Sequence, residues 1–350
     1  MNRNDCVIDL RNLIYNVDQI KKHTSKKVIA VVKADAYGHG AIEIAKALVD
    51  NVAYLAVACL EEALELRNAK IEKPILILGH TDPEDFDVAA KMDITITIHN
   101  LNQLDNVNIN NKLKVHIKVD TGMNRIGFNN IDDVLKAIQL IKQNDLMYLE
   151  GIFTHYATAD CDEAFYQEQR NKFEDILKCT NYQFDYIHSS SSAASINYGE
   201  DLTNAIRPGI LLYGIKPSFN IDFDLKPVLS LYSKVIQLKK ISAGERIGYG
   251  NAYITKEDMI IATIPIGYGD GWLRRNAIVP VYINGNYCNV VGRICMDMLM
   301  VKVNEDTKLG DKVELIGPHI TADDIASKTE TISYEVVCNL GRRLERNYIK

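Results

Sequence analysis

The polar residues best placed to do chemistry stand where apolar, β-branched runs end: Lys33, Lys118 with nearby Arg125, His155, Ser192 and Arg207. Lys33 closes the run Val28-Ile29-Ala30-Val31-Val32. Burial disfavours the charged form of an amine, and an uncharged amine condenses with a carbonyl to give a Schiff base. An arginine suits a carboxylate because its planar fork donates paired hydrogen bonds. Taken singly, each residue also has a plainer reading. Lys33 reads as a solvated surface lysine, Lys118 and Arg125 as an ion-pair cluster with Asp120, His155 as a structural core histidine, and Ser192 as part of a serine-rich polar loop.

Such residues act together only if the scaffold gathers the strand ends. From residue 28 to 215 the chain alternates short β-branched runs with helical patterns, the signature of repeated βα units and a parallel sheet. The expected strands are 28–33, 54–59, 75–79, 94–98, 114–119, 148–155, 186–190 and 205–213, with 41–50, 60–69, 133–143 and 163–179 the clearest helices between them. Eight repeats over roughly 200 residues predict a closed (β/α)8 TIM-type barrel, whose active site sits where strands end and loops begin. An open doubly wound sheet is the alternative, but no Gly-x-Gly-x-x-Gly follows the first strand.

After Pro227 the pattern changes to alternating runs with turn signals, such as 279–283, the Asn284-Gly285-Asn286 turn and 287–292, which read as antiparallel β structure. The segment 321–328 reads as a helix, with Thr321 as N-cap and an acidic first turn. The expected organisation is a barrel domain over 1–227 and a mostly antiparallel β domain over 228–350.

Bulk properties narrow the function. At 350 residues the chain exceeds a single core, so two domains are expected. With 47% apolar and 25% charged residues it has globular composition. A net charge of -6 with mixed signs leaves no electrostatic footprint for nucleic acid, and a small-molecule partner fits better. The N-terminus lacks a signal-peptide pattern and no apolar stretch is long enough to cross a bilayer. The 7 cysteines are scattered and never form Cys-x-x-Cys, which argues against disulfides or a zinc site and for reduced thiols in a cytoplasm.

The segment Lys33-Ala34-Asp35-Ala36-Tyr37-Gly38-His39-Gly40 closely resembles the cofactor-lysine signature of the alanine racemase family. The resemblance runs end to end. Lys118-Val119-Asp120-Thr121-Gly122-Met123-Asn124-Arg125, Thr154-His155-Tyr156-Ala157, His188-Ser189-Ser190-Ser191-Ser192, Arg207-Pro208-Gly209-Ile210, Arg246-Ile247-Gly248-Tyr249-Gly250, Ile266-Gly267-Tyr268-Gly269-Asp270, Arg293-Ile294-Cys295-Met296-Asp297 and Thr331-Ile332-Ser333-Tyr334 are each similar to a family segment. Two positions depart from the commoner pattern: Ser191 stands where Asn is usual, and Gly269 where Ala is frequent.

The resemblance implies pyridoxal 5'-phosphate held by Lys33, with Tyr37, Ser192, Gly209, Ile210 and Tyr334 at its phosphate and Arg207 at its ring nitrogen. It further implies a carbamate on Lys118 that orients Arg125 toward the substrate carboxylate, with Met296 and Asp297 on the carboxylate side and Tyr268 at the entry. Tyr249 and Lys33 are then acid and base on opposite faces of one carbon, with His155 bonded to the tyrosine. An ordinary tyrosine ionises near ~10, so its neighbours must lower it, and the His155 and Arg207 network is the expected source. The resemblance implies no metal and a homodimer with sites shared between subunits, supplying D-alanine for cell-wall peptidoglycan. Alternative readings are a serine or broader-specificity racemase, a decarboxylase on a related fold, and a non-catalytic carrier of the same cofactor. Carriers resemble the barrel alone, so the segment after Pro227 counts against them.

Overall fold

The computed structural model describes residues 3–198, 202–217 and 223–350. Packing divides the chain into two units: Leu13–Ala36 with Ala41–Lys226, and Met1–Asn12 with Tyr37–Gly40 and Pro227–Lys350.

The first strand, β1 (Asp5–Asp9), belongs to the second of these units. The next eight close the expected barrel: β2 (Lys27–Val31), β3 (Tyr54–Val57), β4 (Ile75–Ile77), β5 (Ile94–Ile98), β6 (Leu113–Lys118), β7 (Met147–Phe153), β8 (Tyr186–His188) and β9 (Ala205–Ile206). All pair in parallel, and β9 closes on β2 through Lys27 opposite Ala205 and Val28 opposite Ile206. Each of the expected barrel strands is present. The last is shorter than its apolar run, because Pro208 has no N–H for a ladder and the chain then winds into a 3-10 turn at Ile210–Tyr213.

Strand burial explains why these runs are continuous rather than alternating. Every residue of β5 is buried, as expected for a parallel strand covered on both faces. The surrounding helices are one-sided. Ile131–Lys142 buries Val134, Ala137, Ile138 and Ile141, a single helical stripe, and Asn130 caps it by accepting from the Asp133 N–H.

In the other unit a six-stranded sheet runs Asn286–Cys288, Val281–Ile283, Lys312–Ile316, Leu229–Lys234, β1 and Arg346–Ile349. Here burial alternates, with Leu229, Leu231 and Ser233 inward. The sheet is antiparallel except where β1 meets Arg346–Ile349. The division expected at 227/228 therefore places residues 1–12 differently from the packing, since β1 hydrogen-bonds to C-terminal strands rather than to the barrel. Local expectations hold in detail: Asn284 and Gly285 take positive φ in a two-residue hairpin, and Thr321 with Asp324 forms a capping box on Ala322–Lys328.

Candidate active site

Lys33 follows β2 and opens the turn Lys33–Gly38, which is left-handed: φ is 53° at Ala34, 52° at Asp35, 53° at Ala36 and 53° at Tyr37. For L-residues this conformation costs about 1–2 kcal/mol each, so the surroundings must over-determine it. They do. Glu62 accepts the Ala34 N–H at 2.7 Å and the Ala58 N–H at 2.7 Å, and Asp35 Oδ1 accepts the Ala41 N–H at 2.8 Å. Arg346 donates twice to the Gly38 carbonyl, at 3.1 and 3.0 Å. Gly38 itself has φ +79, and a Cβ there would stand 2.3 Å from the Val337 carbonyl oxygen. No local propensity dictates such a turn, and Glu62, 28 positions from Ala34, escaped the sequence reading.

The other strand-end residues of the barrel gather around His155. Arg207 is buried and donates from Nη1 to His188 Nδ1 at 2.8 Å, and from Nη2 to the carbonyls of Thr154 at 2.7 Å and Ser189 at 2.9 Å. Its Nη2 also lies 3.3 Å from His155 Nδ1. Burial holds His155 well below its usual value, and the cations Arg207, Lys118, Arg125 and Lys33 push the same way. Burial, then Arg207, brings the Lys118 amine down to about 7, and burial brings Arg207 itself down to about 9. Asp120 does not pair with the Arg125 guanidinium as a surface cluster would: its oxygens accept the backbone N–H groups of Gly122, Asn124 and Arg125. So many cations beside a neutral ring make a place for an anion.

Ser192 and Gly209 fit that role. Ser192 Oγ accepts the Gly209 N–H at 3.0 Å, which leaves the hydroxyl hydrogen for an acceptor, and Ile210 follows at the start of the 3-10 turn. Nearby Ser189 Oγ is buried with no hydrogen-bond partner. The donor set suits a phosphate together with an aldehyde that Lys33 would capture. Among the described residues no group of three or more His, Cys, Asp or Glu could hold a metal ion.

The remaining expected residues lie in the second unit. The Tyr37 and Tyr334 rings lie with centroids 6.1 Å apart, tilted at 55°. Tyr249 is 70% exposed, on a 3-10 turn whose flanking glycines pack against Arg293. Tyr268 and Gly269 donate their N–H groups to the carbonyls of Cys295 and Met296, so the loop bearing Met296 and Asp297 touches both tyrosine segments. Buried Asp270, which the sequence reading gave no role, accepts from Arg3 at 3.0 Å and the Gly267 N–H at 3.0 Å, and Arg343 bridges it to Asp297. The departure at Gly269 has a counterpart here, since a Cβ would stand 2.3 Å from Arg343 Nη1.

A closed eight-stranded barrel with cations around His155, continued in sequence by a β unit with exposed Tyr249 and Tyr268, defines the class of barrel enzymes that carry a following β domain. Residues 8–217 match the family profile described as alanine racemase, N-terminal domain, and residues 228–348 match alanine racemase, C-terminal domain. The chain belongs to the alanine racemase family, a family of isomerases.

It is 41% identical over 356 residues to the alanine racemase of Lactococcus lactis subsp. cremoris, covering 98% of this chain and 97% of that protein. The crystal structure of alanine racemase from E. faecalis is similar with a TM-score of 0.96 at 37% identity, covering 99% of this chain and 98% of that one. A histidine racemase from Leuconostoc mesenteroides subsp. sake is similar with a TM-score of 0.91 at 29% identity, covering 100% of this chain and 98% of that one. No helix among the described residues is long and apolar enough to cross a membrane.

Proposed function

We propose that this chain interconverts L-alanine and D-alanine, using pyridoxal 5'-phosphate, as a cytoplasmic homodimer that supplies D-alanine for cell-wall peptidoglycan. The observation that carries the reading is the contact of buried Arg207 with half-buried His155 among Lys33, Lys118 and Arg125. Lys33 would hold the cofactor covalently, Tyr37, Ser192, Gly209, Ile210 and Tyr334 its phosphate, and Arg207 its ring nitrogen. When bound, the cofactor supplies an electron sink that acidifies the substrate Cα–H.

The residues of the chain then divide the work. A guanidinium only donates, and Arg207 at about 9 keeps its proton at neutral pH, so it would offer the ring nitrogen a hydrogen bond without giving up the proton. An arginine that retains its proton at this position would leave the ring nitrogen unprotonated and so temper the electron-withdrawing power the cofactor supplies. The same donor logic sets His155: its Nδ1 faces Arg207, so the neutral ring carries hydrogen on Nε2. Donation from Nε2 to the Tyr249 oxygen favours the phenolate, and a base follows. Lys33 moves the proton of the D-isomer on one face, and Tyr249 that of the L-isomer on the other.

Arg125, oriented by a carbamate on Lys118, receives the substrate carboxylate, with Met296 and Asp297 on the same side and Tyr268 at the entry. Tyr249 comes from a second copy of the chain, which its 70% exposure supports, as do the exposed Ile254, Ile278 and Ile332. The similarity to a histidine racemase favours one rival, a serine or broader-specificity racemase on the same scaffold. Chiral analysis after incubating the cofactor-loaded protein with L-alanine or L-serine separates them. D-alanine forming faster than D-serine, and neither from Lys33→Ala, supports the proposal. No D-alanine from a yellow, folded protein overturns it.

A further inference from the structure

Beneath the strand-end cations a hydrogen-bonded chain crosses the barrel interior. Arg207 Nη1 meets His188 Nδ1 at 2.8 Å, His188 Nε2 meets His116 Nδ1 at 2.8 Å, and His116 Nε2 meets Glu150 Oε2 at 2.9 Å. Tyr54 donates to the same Glu150 oxygen at 2.7 Å and lies 2.6 Å from Thr95 Oγ1. Both imidazoles are fully buried: His188 stacks on Phe153 at 4.7 Å, and His116 stacks on Tyr186 at 5.9 Å. Gly151 makes the space, since a Cβ there would stand 2.7 Å from the His116 ring.

The chain has a direction, and Arg207 sets it. A guanidinium has no acceptor, so His188 Nδ1 carries no hydrogen and its Nε2 does. That hydrogen points at His116 Nδ1, which must be bare, so His116 carries its own hydrogen on Nε2 and gives it to the Glu150 carboxylate. A doubly protonated ring at either position would set two donors face to face. Burial holds both histidines below their usual value, in agreement with one hydrogen per ring.

We propose that Glu150 and His116 are positioning residues for Arg207: the carboxylate ends the chain as its acceptor, fixes the tautomers of His116 and His188, and so pins the Arg207 guanidinium. This rests on the reading above only for what Arg207 then does. It adds residues on β6 and β7, deep in the barrel, that hold the Arg207 guanidinium without approaching the reacting carbon.

The test is long-range ¹H–¹⁵N spectroscopy of the cofactor-loaded protein labelled on histidine, with His116→Phe and Glu150→Leu assigning the signals. Both rings should be neutral and protonated on Nε2 throughout pH 6 to 8. Glu150→Gln keeps an acceptor oxygen and should preserve both tautomers. Glu150→Leu should mix the tautomers of both rings and lower kcat roughly tenfold, the scale of one hydrogen bond, with KM for alanine little changed. A ring found protonated on Nδ1 or on both nitrogens overturns the proposal, as does Glu150→Leu with unaltered signals and kcat. If Glu150→Leu fails to fold, the wild-type and Glu150→Gln spectra decide alone. The tautomers are read whether or not D-alanine forms, so failure of the activity is separate from failure of the chain.

Discussion

Nζ of Lys118 donates to the carbonyl of Val119 at 2.8 Å and lies 5.4 Å over the Phe153 ring, with no carboxylate among these contacts. An amine so enclosed is held near neutrality. Burial, reinforced by Arg207, lowers it to about 7, whereas a solvated lysine titrates near 10.5. Only the uncharged amine adds carbon dioxide, so a carbamate should develop on Lys118 as pH rises through about 7. ¹³C spectra in labelled bicarbonate should show one carbamate that Lys118→Ala removes. An unmodified ammonium at pH 8 contradicts this.

The same depression makes a stability prediction for carbon dioxide-free buffer. Between about 7 and 10.5 the unfolded chain binds the Lys118 proton and the folded chain does not, so this group makes stability rise with pH across that window. Below about 7 both forms bind it and the burden is full. Comparing melting curves of wild type and Lys118→Met reads the effect: the gain in melting temperature from pH 7 to 9 should shrink in the variant. An equal gain in both proteins would remove Lys118 as its source.

Borohydride reduction of the cofactor-loaded protein should fix the cofactor to Lys33 and to no other lysine. Lys118, a poorly charged amine near His155, makes the mapping stringent. Peptides labelled at Lys118 would overturn the assignment.

Gly38→Ala places a methyl 2.3 Å from the Val337 carbonyl at φ +79. We expect destabilisation on the order of 1–3 kcal/mol, as for other strained backbone positions, and weaker cofactor retention because Lys33 opens the same turn. An unchanged melting temperature would show that the left-handed turn carries no such constraint.

Tyr334, whose ring lies 6.1 Å from that of Tyr37, should limit the substrate side chain if it holds the phosphate side as proposed. Tyr334→Asn should raise the serine-to-alanine ratio of kcat/KM by a factor corresponding to about 1–3 kcal/mol. If the ratio holds while alanine activity survives, the limit lies elsewhere.

The barrel was legible because its strands are buried on both faces and so spell unbroken β-branched runs, as in β5. Lys33, His155 and Arg207 were legible as polar residues ending such runs. What escaped depends on distant partners or on tertiary strain. β1 is five residues long and pairs with strands more than two hundred positions away, so nothing nearby announces it. The left-handed turn at Ala34–Tyr37 defies local preference and exists because Glu62, Asp35 and Arg346 hold it. His116 and Glu150 look like ordinary strand residues until the barrel closes and brings them to His188 and Tyr54.

The central claim is that Lys33 and Tyr249 act on one carbon from two different chains, and co-expression of Lys33→Ala with Tyr249→Phe tests it most directly. Each variant homodimer should be nearly inactive. In a mixed dimer that shares its sites, both lesions fall in one site and the other is intact, so racemisation should return. Separately tagged chains, purified through both tags, give the mixed dimer free of its parents. Its alanine racemisation should approach half the wild-type rate per dimer. Activity as low as that of the parents would show that each chain builds its own complete site and would contradict the account.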